Sequence, residues 1–111
     1  MKIPDSVRIN GVDFPVEFIA HLNDGEHKLH GIVNYCNCTI AIDPDSQDHQ
    51  KKCITLWHEI LHVLLHNAQI DLPEDEEERI IIALSNGVYQ VLQDNGRKLF
   101  DLVPPKEEAA P

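Results

Sequence analysis

Residues 54–66 read ITLWHEILHVLLH, and their spacing governs how the rest of the chain is read. Ile54, Trp57, Leu61, Leu64 and Leu65 recur at helical intervals and form one apolar stripe, which Ile60 and Val63 extend. A helix this apolar is expected to be mostly buried. Inside it stand His58, Glu59 and His62, the pattern H-E-x-x-H. Residues four apart share a helical face, so both imidazoles can reach one metal ion with Glu59 beside them. With seven His and nine Glu in 111 residues, a random shuffle yields the pattern only about 0.03 times per chain. Two His and a Glu in an apolar helix are costly to bury unless paired or metal-bound. The trio reads as the ligand pair and general base of a zinc hydrolase. The competing reading is core histidines satisfied by neighbours.

A tetrahedral zinc needs a third protein ligand and keeps its fourth position for water. His66 is four residues further on, but it lies about 12 Å along the axis from His58 at 1.5 Å per residue, too far for one ion. The metzincin pattern H-E-x-x-H-x-x-G-x-x-H is also broken, since Leu65 stands at its Gly and Ala68 at its third His. His66 reads as a helix-end residue, favourable near the negative end of the dipole. The third ligand is therefore expected from a second helix. Asn67 to Pro73 reads as a connection, and Glu74 to Asn95 as a helix ended by Gly96. Ile81, Leu84, Val88, Val91 and Leu92 form its apolar stripe. Stepping back from Ile81 on that face reaches Glu78 or Glu77. The other acids of the run read as solvated charges at a helix N-terminus.

HEILHVLLH, an acidic stretch and then ERIIIALS resemble the short phage-type members of the ImmA/IrrE metallopeptidases. That gluzincin-like family carries H-E-x-x-H followed by E-x-x-A-N-x-F-A. Its Glu falls on Glu78, its first Ala on Ile81, its Phe on Leu84 and its second Ala on Ser85. Ile82 replaces its Asn, and its L-L-M-P ending is absent. The likeness covers residues 31 to 96. It implies a zincin-like fold, zinc held by His58, His62 and Glu78, and Glu59 as the base that takes a proton from water and returns it to the leaving amine. Glu77 stays open as the alternative ligand. It also implies a protein or peptide substrate, such as a repressor controlling a phage or mobile element.

The length implies one domain, residues 1–103, with a modest core. Pro104 to Pro111, PPKEEAAP, reads as a disordered tail. No apolar run approaches a membrane span, and no signal-peptide core opens the chain, so a cytoplasmic protein is expected. The odd cysteine count fits reduced thiols. A net charge of −10 disfavours direct nucleic-acid binding, which needs a basic patch, and favours basic partners. Six acids lie between Asp71 and Glu78, where they could draw in cations or a basic peptide.

Towards the N-terminus, Val7 to Ile9, Asn10-Gly11 and Val12 to Ile19 read as a β-hairpin. Pro15 points to an edge strand or a bulge. Residues 21 to 30 read as loop. Gly31 to Tyr35 and Thr39 to Asp43 read as a second strand pair, and the resemblance to gluzincin-like enzymes implies that either strand could pair with an extended substrate. A turn follows at Asp43 to Ser46, with Asp45 or Ser46 capping a helix that begins near Gln47. Strands first and helices after imply α+β: a small antiparallel sheet of three to four strands on two helices. Leu99 to Val103 is expected to dock on the body.

Cys36 and Cys38 would share one strand face as small packing residues, and a cysteine zinc site lacks a fourth ligand. His21, His27, His30 and His49 read as solvated. His30, Tyr35 and Tyr89 are candidates to stabilise an oxyanion. The rival to a peptidase is a catalytically silent module that keeps zinc for fold stability or partner binding. An intact Glu59 argues against it, because a structural site needs no base.

Overall fold

A computed structural model describes residues 2–45 and 47–103. The expected tail at 104–111 and the expected capping role of Ser46 lie outside the described residues. Four strands precede two helices: β1 (Ser6–Ile9), β2 (Val12–Phe18), β3 (Gly31–Asn34), β4 (Thr39–Ile42), α1 (His49–Asn67) and α2 (Glu74–Asn95). A 3-10 turn, Gly96–Leu102, follows. The α+β expectation holds.

Asn10 and Gly11 make the first turn. Ile9 pairs with Val12, so the loop has two residues, and both take positive φ (50° and 85°). That is the primed turn whose twist matches a hairpin. Pro15 sits where β2 changes neighbours. Residues before it pair with β1, and Val16 to Phe18 pair with β4. A missing N–H is tolerated at such a junction.

The sheet order is β1-β2-β4-β3. An antiparallel sheet was the expectation, but β2 and β4 run parallel, with Val16 opposite Ile40 and Phe18 opposite Ile42. Connectivity gives the reason. Segment 19–30 carries the chain two strand positions beyond β2, and the return through the β3–β4 hairpin fills the gap. The Ile19 N–H donates to the Ile42 carbonyl (3.0 Å), and the Leu22 N–H to Asp43 Oδ2 (3.1 Å). Asp43 is buried. The N–H groups of Asp45 and then Leu22 hold its carboxyl below the usual carboxylate range. β4 is thus interior, and among the described residues β1 and β3 are the edge strands.

Ile9, Phe14, Ile40, Ile42, Leu56 and Val63 form the core between sheet and α1, with Ile60 packed against it. Ile40 and Ile42 alternate to one face of β4, as a strand requires. On α1 the buried face runs through Thr55, Leu56, Glu59 and Val63. This corrects the expected stripe: Leu64 is half-exposed, and Ile54, Trp57, Leu61 and Leu65 are only partly buried. The face that meets the sheet carries Glu59. Asp48, rather than Asp45, caps α1 by accepting the Lys51 N–H (2.8 Å).

α2 packs on α1 and on the 3-10 turn. Only Ile81 and Ser85 are fully buried on it, and Leu84 and Val91 of the expected stripe are half-exposed. A long helix with one flank covered buries a narrow strip. Gly96, with φ 57°, closes α2. Leu102 and Val103 are exposed, so the expected docking of the segment after α2 does not extend to them. No helix among the described residues is long and apolar enough to cross a membrane.

Candidate metal centre

His58 and His62 stand one turn apart on α1. Their Nε2 atoms face each other at 3.2 Å, and the rings meet edge to face. Glu78, near the start of α2, brings one carboxylate oxygen to 2.6 Å from His62 Nε2 and the other to 3.3 Å from His58 Nε2. One donor atom from each residue lies within 4.8 Å of the others. An ion held tetrahedrally at about 2.0–2.1 Å spaces its donors by roughly 3.4 Å. Separations of 3.2 and 3.3 Å match that spacing. The 2.6 Å contact is a charge-assisted hydrogen bond that an ion would replace. Two imidazoles and a carboxylate are a common metal donor set, so His58, His62 and Glu78 could hold a metal ion.

Both acids left open as third ligand reach His62, but at opposite nitrogens. Glu77 Oε2 lies 2.8 Å from Nδ1, while Glu78 meets Nε2 and also reaches His58. Consecutive helical positions point about 100° apart, which separates the two carboxylates around one ring. Sequence spacing could not distinguish them, because the rotation of α2 against α1 was unknown.

Glu59 lies on the sheet-facing side of α1 and is 6% exposed. Burial pushes its pKa up to about 7, with the charge of Glu78 adding to the shift and His62 opposing it. A carboxyl with that pKa can hold or release a proton near neutrality, as a general base must. Burial also holds the His58 pKa below its ordinary value, against the attraction of Glu78.

The room for Glu59 comes from Gly31. A β-carbon built there would lie 2.6 Å from Thr55 Cγ2 and 3.2 Å from Glu59 Oε2. A glycine in a strand signals a close approach, and that signal could have picked out Gly31. Gln47 fixes the approach. Its Nε2 donates to the carbonyls of Asp43 (2.6 Å) and His30 (3.1 Å), and its Oε1 accepts from the Thr55 hydroxyl. The sequence carried no signal for Gln47. Thr55 was legible only as a polar residue one turn before Glu59.

The group opens into a broad cleft between β3, α1 and the start of α2. His30 and Tyr35 line it, and Tyr89 is not among the lining residues. The Tyr35 ring stacks on His66 with centroids 4.1 Å apart. Burial raises the Tyr35 pKa, and the charges of Glu59 and Glu77 add to the effect, so its hydroxyl stays protonated. His66 is not part of the metal-capable group, in keeping with the helical spacing.

The remaining expectations divide. His21, His27, His30 and His49 are exposed. Cys36 and Cys38 lie in the β3–β4 turn, not on a strand face; Cys38, at φ 54°, packs partly against the core, and Cys36 is exposed. No cysteine joins a metal-capable group among the described residues. No protein-family model, curated protein or solved structure matches the chain.

Proposed function

We propose that this chain is a zinc-dependent peptidase of gluzincin type, similar to the ImmA/IrrE metallopeptidases, on a small zincin-like fold. One observation carries the reading: three metal-capable donors converge in the lining of an open cleft, next to a buried glutamate whose pKa burial pushes up to about 7. His58, His62 and Glu78 would hold the ion, and Glu59 would be the base. Zinc, when bound, polarises a scissile carbonyl as a Lewis acid and acidifies a coordinated water. Glu59 accepts the proton and delivers it to the leaving amine. Tyr35, protonated and facing the cleft, donates to the developing oxyanion. The open cleft supports catalysis over a closed structural site, whose fourth position a protein ligand would fill.

Substrate binding follows from the sheet. Of the two strands weighed for strand addition, β4 has neighbours on both sides, and β3 offers a free edge along the cleft. A protein segment drawn out beside Gly31 to Asn34 would present its backbone to the base. By the resemblance, the substrate class is a regulator protein of a phage or mobile element. The test combines metal analysis with turnover. Purified protein is expected to carry about one zinc, lost in His58→Ala. A peptide panel is expected to be cut by wild type and not by Glu59→Gln, which keeps the metal. Protein without zinc sinks the reading. Zinc with no turnover moves the chain to the silent-module alternative.

A further inference from the structure

We propose that Glu77 is a positioning residue that fixes which nitrogen of His62 faces the metal. The inference rests on the zinc reading above. His62 is engaged on both sides of its ring. Nε2 faces Glu78 and His58 at 2.6 and 3.2 Å, and Nδ1 faces Glu77 Oε2 at 2.8 Å. An ionised carboxylate only accepts hydrogen bonds, and both ring nitrogens face one; an ion taking the Nε2 side would displace the proton there and leave Nδ1 as the donor to Glu77. In the neutral ring the lone pair then sits on Nε2, aimed at the convergence point.

Glu77 is also the better buried of the pair, its side chain 26% exposed against 45% for Glu78. It lies away from His58 and borders a small recess with Tyr35, His66 and Asp71. A carboxylate on the far nitrogen of a ligating histidine orients the ring and raises its basicity. Glu77 is placed for that role and not for ligation, because only Glu78 spans both histidines. Two adjacent acids thus divide the work on one imidazole.

The experiment measures zinc affinity by chelator competition for wild type, Glu77→Gln, Glu77→Ala and Glu78→Ala. It also follows the His62 ring N–H by nitrogen-15 NMR in the zinc-loaded proteins. Loss of a carboxylate behind a ligating histidine costs about 10–100-fold, and Glu77→Ala is expected in that range. Glu77→Gln keeps an acceptor oxygen and is expected to lose less. Glu78→Ala, which removes a ligand, is expected to lose more than either. Wild type and Glu77→Gln should show a protected proton on Nδ1, and Glu77→Ala should not. Circular dichroism establishes that each variant is folded. If Glu77→Ala binds zinc as tightly as wild type and keeps the Nδ1 proton, the proposal is wrong. If it loses as much affinity as Glu78→Ala, Glu77 is a ligand and the proposal is again wrong. A wild-type chain that takes no zinc overturns the metal reading itself.

Discussion

Gly31→Ala tests whether the sheet edge and the helix meet as closely as the site requires. The added β-carbon would lie 2.6 Å from Thr55 Cγ2, 3.2 Å from the Ala41 carbonyl oxygen and 3.2 Å from Glu59 Oε2. Carbon atoms pack best at about 3.5–4.0 Å, so the first contact needs roughly 1 Å of relief. Thr55 has little to give. It is β-branched and buried, and its hydroxyl is held by Gln47. Overpacking of this kind costs about 1–3 kcal/mol. Alanine also narrows the unfolded ensemble, which returns about 0.4–1 kcal/mol. The expected net loss is about 0.5–2 kcal/mol, read as a lower urea midpoint at unchanged slope. Thr55→Ser removes Cγ2 and keeps the hydroxyl. The double variant should therefore recover stability beyond additivity, with a coupling on the order of 1 kcal/mol in a double-mutant cycle. Strict additivity, or a Gly31→Ala protein as stable as wild type, would refute the close approach.

Gln47→Ala should destabilise by about 1–3 kcal/mol, because it removes the partner of the Thr55 hydroxyl and of the Asp43 carbonyl, while the His30 carbonyl keeps the Asp43 N–H; thermal unfolding measures it, and a neutral result removes Gln47 as the strap between sheet and α1. In the metal-free protein, Glu59 titrates at about 7 folded against 4.5 for an ordinary glutamate. Between those values the folded state binds more protons than the unfolded one, so stability falls as pH rises through the window, by roughly 3 kcal/mol in full. The stability difference between wild type and Glu59→Gln should decline across that range and level off above it; a difference that rises with pH contradicts the assignment. Zinc at 100 times its dissociation constant should stabilise wild type by about 2.7 kcal/mol, and scanning calorimetry of Glu78→Ala should show a markedly smaller gain.

What the sequence made legible follows the range of the physics involved. The Asn10-Gly11 turn, the strands-then-helices order and the α2 span Glu74–Asn95 depend on local spacing and turn chemistry, and they stand as read. The H-E-x-x-H face is likewise a property of one helix. The parallel pairing of β2 with β4 was hidden because it depends on where segment 19–30 sets down β3. The buried face of α1 was misplaced for a similar reason. Hydrophobicity marks most of ITLWHEILHVLLH alike, and only the approach of the sheet selects the Leu56 and Val63 side. Cys36 and Cys38 fall between the strands read at Gly31 to Tyr35 and Thr39 to Asp43, and the shared strand face weighed for them is absent because Asn34 builds a turn there by accepting the Cys36 N–H.

The half-exposed apolar residues of α2 bear on the metal centre itself. Ile80, Ile82, Leu84 and Val91 face outward, and Ile81 and Ser85 alone are fully buried against the neighbouring helix. Apolar burial therefore holds the start of α2 to α1 only through a narrow strip. The polar contacts across that seam are those of His58 and His62 with Glu77 and Glu78. An ion bound by two donors from α1 and one from α2 would clamp the two helices at the start of α2. Metal affinity and helix docking would then be one free energy, since a ligand that binds only the docked arrangement stabilises it. This gives the acidic start of α2 a purpose beyond favouring its own helix dipole. Four carboxylates in its first turn, Glu74 to Glu77, suit the N-terminus, and Glu77 and Glu78 also meet His62 and His58 of α1.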